Sequence, residues 1–185
     1  MFGDGRVFER RMVPGLADVA PGGRVRLDGL ARWMQDVAYA DVLDAGVGDA
    51  AVWVVRRMAL TVGRWPRFGE EIVVRTACTG LGRAWAERTT TVSGGDGGEV
   101  RAVGLWVHLD PETQRPSPLT AAELEVYGSS AGDRQVKARL RHPAPPEGAR
   151  NAGSWRFRAT DLDLLDHVNN AAYWQVLEEA LLAGA

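Results

Sequence analysis

The chain has 185 residues, of which 45% are hydrophobic and 25% charged, and its formal net charge is −2. These values are typical of a globular protein with one ordinary domain or two small ones, and they argue against nucleic acid or an anionic membrane as a partner. The single cysteine, Cys78, excludes an internal disulfide. The sequence shows no signal-peptide pattern and no membrane-spanning apolar stretch, so we expect a cytoplasmic protein.

The first part of the chain predicts a strand, a turn and a helix. Residues 6–13 alternate between apolar and polar and end at Pro14 and Gly15, which favours a strand. Asp28 is a candidate N-cap for the helix, and Gly46 is a candidate C-terminal stop. Between them runs an apolar stripe made of Leu30, Trp33, Met34, Val37 and Ala40.

Four further strands follow the helix in the sequence pattern. They are predicted at residues 52–62, 70–79, 84–92 and 99–109, with a glycine-rich turn at residues 93–98 and a short helix at residues 119–127. One helix followed by several antiparallel strands indicates an α+β fold in which the sheet wraps the helix.

The chain divides into three predicted parts. Residues 1–128 form a first unit, residues 129–152 form a Pro- and Gly-rich connector with an edge strand at 135–140, and residues 153–185 open a second unit. The second unit begins with a strand at 155–158, a loop and a helix, and this order repeats the opening of the first unit. Only 33 residues remain for it, too few for a sheet of its own. We therefore expect a shortened chain, with completion of the fold by another chain as the alternative.

The segment at residues 160–174 carries the most specific chemical pattern. It places Asp163 and His167 just before a predicted amphipathic helix, and Asn169 and Asn170 in that helix's first turn. A helix start offers unpaired backbone N–H groups and a positive dipole end, which hold an oxyanion. A carboxylate beside it can take a proton from water or attack directly. The combination suits hydrolysis of an activated acyl group.

An Asp ahead of His-Val-Asn-Asn-x-x-Tyr resembles the active-site segment of hot-dog-fold thioesterases. Ordered blocks elsewhere narrow the resemblance to the acyl-acyl-carrier-protein (acyl-ACP) thioesterases, which carry two hot-dog units. These blocks are residues 24–30, 33–36, 53–58, 64–70, 82–85 and 105–110. The resemblance implies a tandem hot-dog fold, here with the second unit incomplete. It also implies release of a free fatty acid from a fatty acyl-phosphopantetheine on ACP, in fatty acid biosynthesis, without a cofactor or metal.

The resemblance also implies roles for single residues. Asp163 would be base or nucleophile and His167 its assistant, while Val168, Asn169 and Asn170 would hold the oxyanion or position the loop. The structural alternatives are a turn carboxylate for Asp163 and a helix-start histidine for His167. Two neighbouring carboxylates have other predicted roles. Asp166 is expected to cap the helix, and Asp161 is expected to be solvated. Leu165 departs from the plant pattern, which has Asn there, and the family's further catalytic acid would lie beyond residue 185.

Other residues have a functional and a structural interpretation. Trp33, Trp53 and Trp85 could line an acyl tunnel, although core packing is the simpler explanation. Arg56, Arg57, Arg64 and Arg67 could meet an acidic carrier protein or lie solvated at strand ends. The three histidines show no metal-ligand spacing with the cysteine, so no metal site is predicted. A homodimer is left open.

Three other functions fit parts of the pattern. An acyl-CoA thioesterase keeps the fold and changes the carrier. A hot-dog enoyl-thioester hydratase also uses an Asp and a His, but the four-residue separation of Asp163 and His167 and the lack of a Pro-flanked motif argue against it. A non-catalytic acyl-binding remnant is favoured by Leu165 and by the missing strands.

Overall fold

The computed structural model describes residues 2–48, 52–138, 144–150 and 153–184. Within these ranges the strands are β1 (Phe8–Met12), β2 (Val52–Arg64), β3 (Ile72–Leu81), β4 (Trp85–Gly94) and β5 (Glu99–Leu109). The α-helices are α1 (Leu27–Asp44), α2 (Ala121–Ala131) and α3 (Tyr173–Ala183). The predicted helices and strands of the first unit are confirmed, with ends that shift by up to four residues.

The five strands form one antiparallel sheet in the order β1-β3-β4-β5-β2. One face of the sheet packs on α1, because apolar residues of the helix and of the strands form one buried cluster that includes Leu30, Met34, Val74 and Val100. Each is at most 2% exposed, so this cluster is the core that fixes the helix on the sheet. The prediction of a helix wrapped by an antiparallel sheet is confirmed.

The start of α1 differs from the prediction and its end does not. The helix begins at Leu27, so Asp28 lies inside the first turn, where it pairs with Arg26 at 2.9 Å instead of capping. The N–H of Leu27 donates instead to the carboxylate of Glu178, 3.0 Å away. At the other end Gly46 takes a φ of +70° just beyond the last turn, which is the left-handed stop that glycine provides.

A buried ion pair ties together α1, β4, α2 and the segment before β1. The carboxylate of Asp41 in α1 accepts from Arg6 Nε at 2.7 Å and from Arg88 Nη1 of β4 at 2.6 Å. The Arg88 guanidinium also lies 5.5 Å from the centre of the Tyr127 ring of α2. Burial, and then the charge of Asp41, raise the pKa of Tyr127 to about 12. The phenol therefore stays neutral beside the pair at physiological pH.

The segment after α2 is less regular than predicted. In the described part of the 135–140 prediction there is a single bridge, between Leu81 and Gln135, and residues 139–140 lie outside the described residues. The predicted strand at 155–158 is wrong, because the described residues offer it no neighbouring strand to pair with. Phe157 instead packs its ring against Tyr173, with 4.9 Å between ring centres.

Helix α3 runs antiparallel to α1 and packs against it. Glu178 contacts Leu27 at the start of α1, and Asn169, just before α3, contacts Gln35 further along. Helix α3 also carries three apolar side chains, spaced by four residues, that are about half exposed: Tyr173 at 53%, Leu177 at 52% and Leu181 at 48%. Within the described ranges, no helix has both the length and the apolar character needed to cross a membrane.

Candidate active site

Asp163 and His167 lie at the two ends of one tight loop. Leu162 and Val168 form an antiparallel bridge, and the N–H of Asp163 donates to the carbonyl of His167 at 2.8 Å. Inside the loop, Asp166 takes a φ of +60°. A left-handed residue at this position lets the chain reverse within a few residues. The local sequence therefore builds a closed loop where a helix start was predicted.

The carboxylate of Asp163 stabilises this loop. Its Oδ1 accepts from the backbone N–H of Leu165 at 2.9 Å and from that of His167 at 3.2 Å. Its other oxygen has no hydrogen-bond partner among the described residues. The imidazole of His167 is exposed and makes no hydrogen bond to them. The loop thus holds Asp163 against the backbone of His167, with one carboxylate oxygen left to accept a proton.

Two neighbouring carboxylates differ from their predicted roles. Asp161 is buried, at 5% exposure, where a solvated position was predicted. It accepts from the guanidinium of Arg158 at 3.0 Å and from the backbone N–H of Arg158 at 2.8 Å, and these bonds, the first above all, hold the pKa of Asp161 below its usual range. Asp166 is exposed in the loop and caps no helix, because α3 begins only at Tyr173. The sequence pattern does not reveal that a buried Asp–Arg turn precedes the loop.

The residues between the loop and α3 form a turn, and the prediction that they open the helix is wrong. The side chain of Asn169 accepts from the N–H of Ala171 at 2.8 Å, and its carbonyl accepts from Ala172 at 2.9 Å. Asn side chains compete in this way with helical hydrogen bonds. The N–H of Asn169 is used by the carbonyl of Asp161 at 2.8 Å, so it cannot hold an oxyanion. Those of Val168 and Asn170 have no acceptor among the described residues.

A cavity of about 440 Å³ opens between α1, β2 and this turn. Its lining consists of Ala31 and Gln35 from α1, Val55, Arg56, Arg57 and Met58 from β2, and Asn170, Ala171, Tyr173 and Trp174. Asn170 is thus the predicted site residue that faces the cavity, while Asp163 and His167 lie outside its lining, in the loop that precedes the turn. Gln35 was not predicted, since a polar residue on a helix carries no signal of its partner.

The two arginines of the lining lie at a β-bulge. The pairing of β2 with β5 passes from Val55 opposite Trp106 to Arg57 opposite Leu105, which leaves Arg56 as the extra residue. Both arginines are exposed, and bulges commonly redirect side chains next to binding sites. Arg67, by contrast, donates to the carbonyl of Gly22 at 2.6 Å and so has a structural partner.

The three tryptophans predicted for an acyl tunnel are not among the described residues that line this cavity. Trp33 belongs to the buried cluster under the sheet. Trp53 packs edge-on against His108, with 5.1 Å between ring centres. Trp85 donates its indole N–H to the carbonyl of Val136 at 2.7 Å. Each has a packing role, and lining of an acyl tunnel stays a prediction.

Glu178 attaches the site to the first unit. Its buried carboxylate accepts from Leu27 N–H at 3.0 Å and pairs with Arg24 at 2.8 Å. The guanidinium of Arg24 also lies 4.7 Å from the centre of the Trp65 ring. Glu178 therefore caps α1 from a position 151 residues further along the chain, a contact that helix-capping rules based on neighbouring residues cannot predict.

Glu178→Ala should lower the free energy of unfolding by about 1–3 kcal/mol, because it leaves the buried N–H of Leu27 without an acceptor. Arg24 is 22% exposed and can turn to water. Hydrogen exchange should show that α3 amides lose protection before those of the sheet. Glu179→Ala is the matched control, since Glu179 is the exposed neighbour. An equal effect of the two substitutions would contradict this role.

Family models match most of the chain. A model of the acyl-ACP thioesterase N-terminal domain matches residues 5–127, and a model of the C-terminal domain matches residues 146–184. An uncharacterized protein of Mycobacterium tuberculosis is 28% identical over 166 residues, which cover 89% of this chain and 66% of the relative. The chloroplastic palmitoyl-acyl carrier protein thioesterase of Gossypium hirsutum is 27% identical, covering 97% of this chain and 48% of the relative.

Solved structures share the fold. The acyl-ACP thioesterase from Bacteroides thetaiotaomicron superposes with a TM-score of 0.75 at 19% identity, over 94% of this chain and 73% of that one. The 12:0-ACP thioesterase from Umbellularia californica gives 0.68 at 24% identity, over 90% and 72%. The chain spans about half to two thirds of the length of the curated relatives named above. It has the hot-dog fold and belongs to the acyl-ACP thioesterase family.

Proposed function

We propose that this chain hydrolyses the thioester between a fatty acyl group and the phosphopantetheine arm of ACP, releasing the free fatty acid. Family membership supports this proposal, and one observation carries it. The loop that holds Asp163 leads directly into the turn that presents Asn170 to a cavity shared with α1 and β2. A carboxylate, unpaired N–H groups and a cleft of substrate size are the parts that acyl transfer to water requires.

The proposed reaction uses these parts in a fixed order. The unpaired oxygen of Asp163 takes a proton from water as the water oxygen bonds to the thioester carbonyl carbon. The negative charge that develops on the carbonyl oxygen is held by the N–H groups of Val168 and Asn170. When the intermediate collapses, the carbon–sulfur bond breaks, and the thiolate leaves and takes up a proton. His167, exposed at the end of the loop, can supply that proton. Direct attack by Asp163 is the alternative first step.

The basic side of the cavity supports a phosphate-bearing carrier. Arg56 and Arg57 line the cavity with exposed side chains, and no carboxylate is among the described residues of its lining. A guanidinium binds phosphate oxygens with paired hydrogen bonds. Both ACP and CoA present a phosphate on the same arm, so this feature alone does not separate the two carriers, and family membership favours ACP.

The carrier is tested by comparing kcat/KM for palmitoyl-ACP with that for palmitoyl-CoA at matched acyl chain and ionic strength. We expect the ratio to exceed about 10, which corresponds to about 1.4 kcal/mol of additional carrier contacts. A ratio below 1 would make the chain an acyl-CoA thioesterase. Crotonyl thioesters serve as the third substrate. If a hydroxyacyl product appeared, the chain would be a hydratase, and the proposal of thioester hydrolysis would be overturned.

We further propose that the protein acts in the cytoplasm as a homodimer. The support for the dimer is the unpaired edge of β2 in the described sheet and the half-exposed apolar side chains of α3. Such edges and apolar patches favour association. Sedimentation equilibrium should give twice the mass of one 20.1 kDa chain, and a monomer at micromolar concentration would contradict the dimer.

A further inference from the structure

The amide orientations of Asn169 and Gln35 follow from the hydrogen bonds around them. The backbone N–H of Ala171 can only donate, so the Asn169 atom 2.8 Å from it is the oxygen. The same oxygen lies 3.0 Å from the amide of Gln35, so the Gln35 atom that faces it must be the amino nitrogen. The amino group of Gln35 on α1 and the backbone N–H of Ala171 therefore both donate to the Asn169 oxygen in the turn before α3.

This arrangement leaves the amide oxygen of Gln35 fixed but unpaired. The atom is buried and accepts no hydrogen bond from the described residues, and Gln35 lines the cavity together with Asn170. A buried polar atom without a partner costs stability, so a role in the cavity would account for a glutamine here.

We propose that Gln35 is a positioning residue for the reaction proposed above. Gln35 holds the side chain of Asn169 in place. That side chain accepts from the N–H of Ala171 and so closes the turn, and the closed turn directs Asn170 and its backbone N–H toward the cavity. The first unit thereby contributes a residue to a site whose other candidate groups belong to residues 163–170. This inference rests on the proposed thioester hydrolysis.

The contact is separable from the docking of the two helices. Glu178 already fastens α3 to the start of α1 through Leu27 and Arg24. Gln35 acts about two turns away along α1. Loss of its single neutral hydrogen bond should therefore disturb the turn more than the fold.

The first test is Gln35→Met, which keeps the length of the side chain and removes the donor. We expect kcat to fall about 10- to 100-fold while KM changes less than about 2-fold, because misplacement of a reacting group by about 1 Å has effects of this size. Asp36→Asn, an exposed neighbour on α1, is the control and should match the wild type. Wild-type kcat in Gln35→Met would overturn the proposal.

The second test uses Gln35→Glu and pH. An ionised carboxylate cannot donate to the Asn169 oxygen, whereas a protonated one can, so the activity of Gln35→Glu relative to wild type should rise as pH falls from about 7 to about 4, through the usual range of a Glu side chain. The titratable groups that share the cavity lining with Gln35 are Arg56 and Arg57 on β2 and Tyr173 on α3, and Arg32, Asp36 and Tyr39 lie within about one turn of it on α1. The arginines favour the ionised form. The relative activity of Gln35→Met should not change with pH. A pH-independent ratio for both variants would contradict the donor role.

A readout without turnover separates this inference from the proposed function. The amide of Ala171 should exchange with solvent faster in Gln35→Met than in wild type, because the Asn169 oxygen that protects it is no longer held. An inactive wild-type protein would overturn the proposed hydrolysis, and with it the catalytic role of Gln35. An unchanged exchange rate in an active protein would overturn the positioning role alone.

Discussion

Asp163→Asn should lower kcat for acyl-ACP hydrolysis about 10²- to 10⁴-fold, the usual contribution of a positioned general base. The amide oxygen of Asn can still accept from the N–H groups of Leu165 and His167, now 2.9 and 3.2 Å from the Asp163 oxygen. The loop should therefore survive, while the charge that takes the proton is lost. The measurement is steady-state release of fatty acid, alongside thermal unfolding to show that the fold is unchanged.

The matched control for this substitution is Asp166→Asn. It makes the same chemical change three residues along, at an exposed residue with a φ of +60°, a conformation that Asn tolerates well. Its side chain makes no hydrogen bond to a described residue. We expect wild-type activity from it. Full activity of Asp163→Asn, or an equal loss in both variants, would leave Asp163 with the purely structural role of a turn carboxylate.

Asp41→Ala should lower the free energy of unfolding by about 3–5 kcal/mol, the cost of removing one partner of a buried ion pair. The side chain of Arg88 is 9% exposed and would keep its charge without a counter-ion, while Arg6 can reach water at 25%. Equilibrium unfolding in urea measures the loss. The double substitution Asp41→Leu with Arg88→Met should recover much of it, because apolar replacement of a whole buried pair is often neutral or stabilising.

Asp44→Ala provides the control for Asp41. Asp44 also pairs with Arg6, but its side chain is 59% exposed, so we expect a change within about 1 kcal/mol. Equal losses for Asp41→Ala and Asp44→Ala would show that burial of the Arg88 contact does not matter to stability.

The fold of the first unit was predictable because its signals are local. Alternating residues mark the strands, the apolar stripe marks α1, and glycine at position 46 ends it. The cap of α1 was not predictable, since it is provided by Glu178 from a distant part of the sequence. The prediction of a strand at residues 155–158 was wrong because it also depended on a distant part of the chain. Its alternating pattern is local, but a strand needs a neighbouring strand to pair with, and the described residues offer none.

The candidate site was predictable in composition more than in geometry. The pattern identifies Asp163, His167 and Asn170, but it treats residues 167–170 as a helix start. The structure instead shows a loop and an Asn turn, in which side chains of Asp163 and Asn169 bind backbone N–H groups. The contact between Gln35 and Asn169 spans 134 residues, and no spacing in the sequence indicates it.

Multiple-turnover hydrolysis of palmitoyl-ACP by the folded wild-type chain tests the central claim most directly. With substrate in about tenfold excess over protein, mass spectrometry should detect free palmitate in amounts exceeding the protein several-fold, with ACP left as the free thiol. Binding of palmitoyl-ACP by the folded protein without release of palmitate would contradict hydrolysis and identify an acyl-binding protein instead.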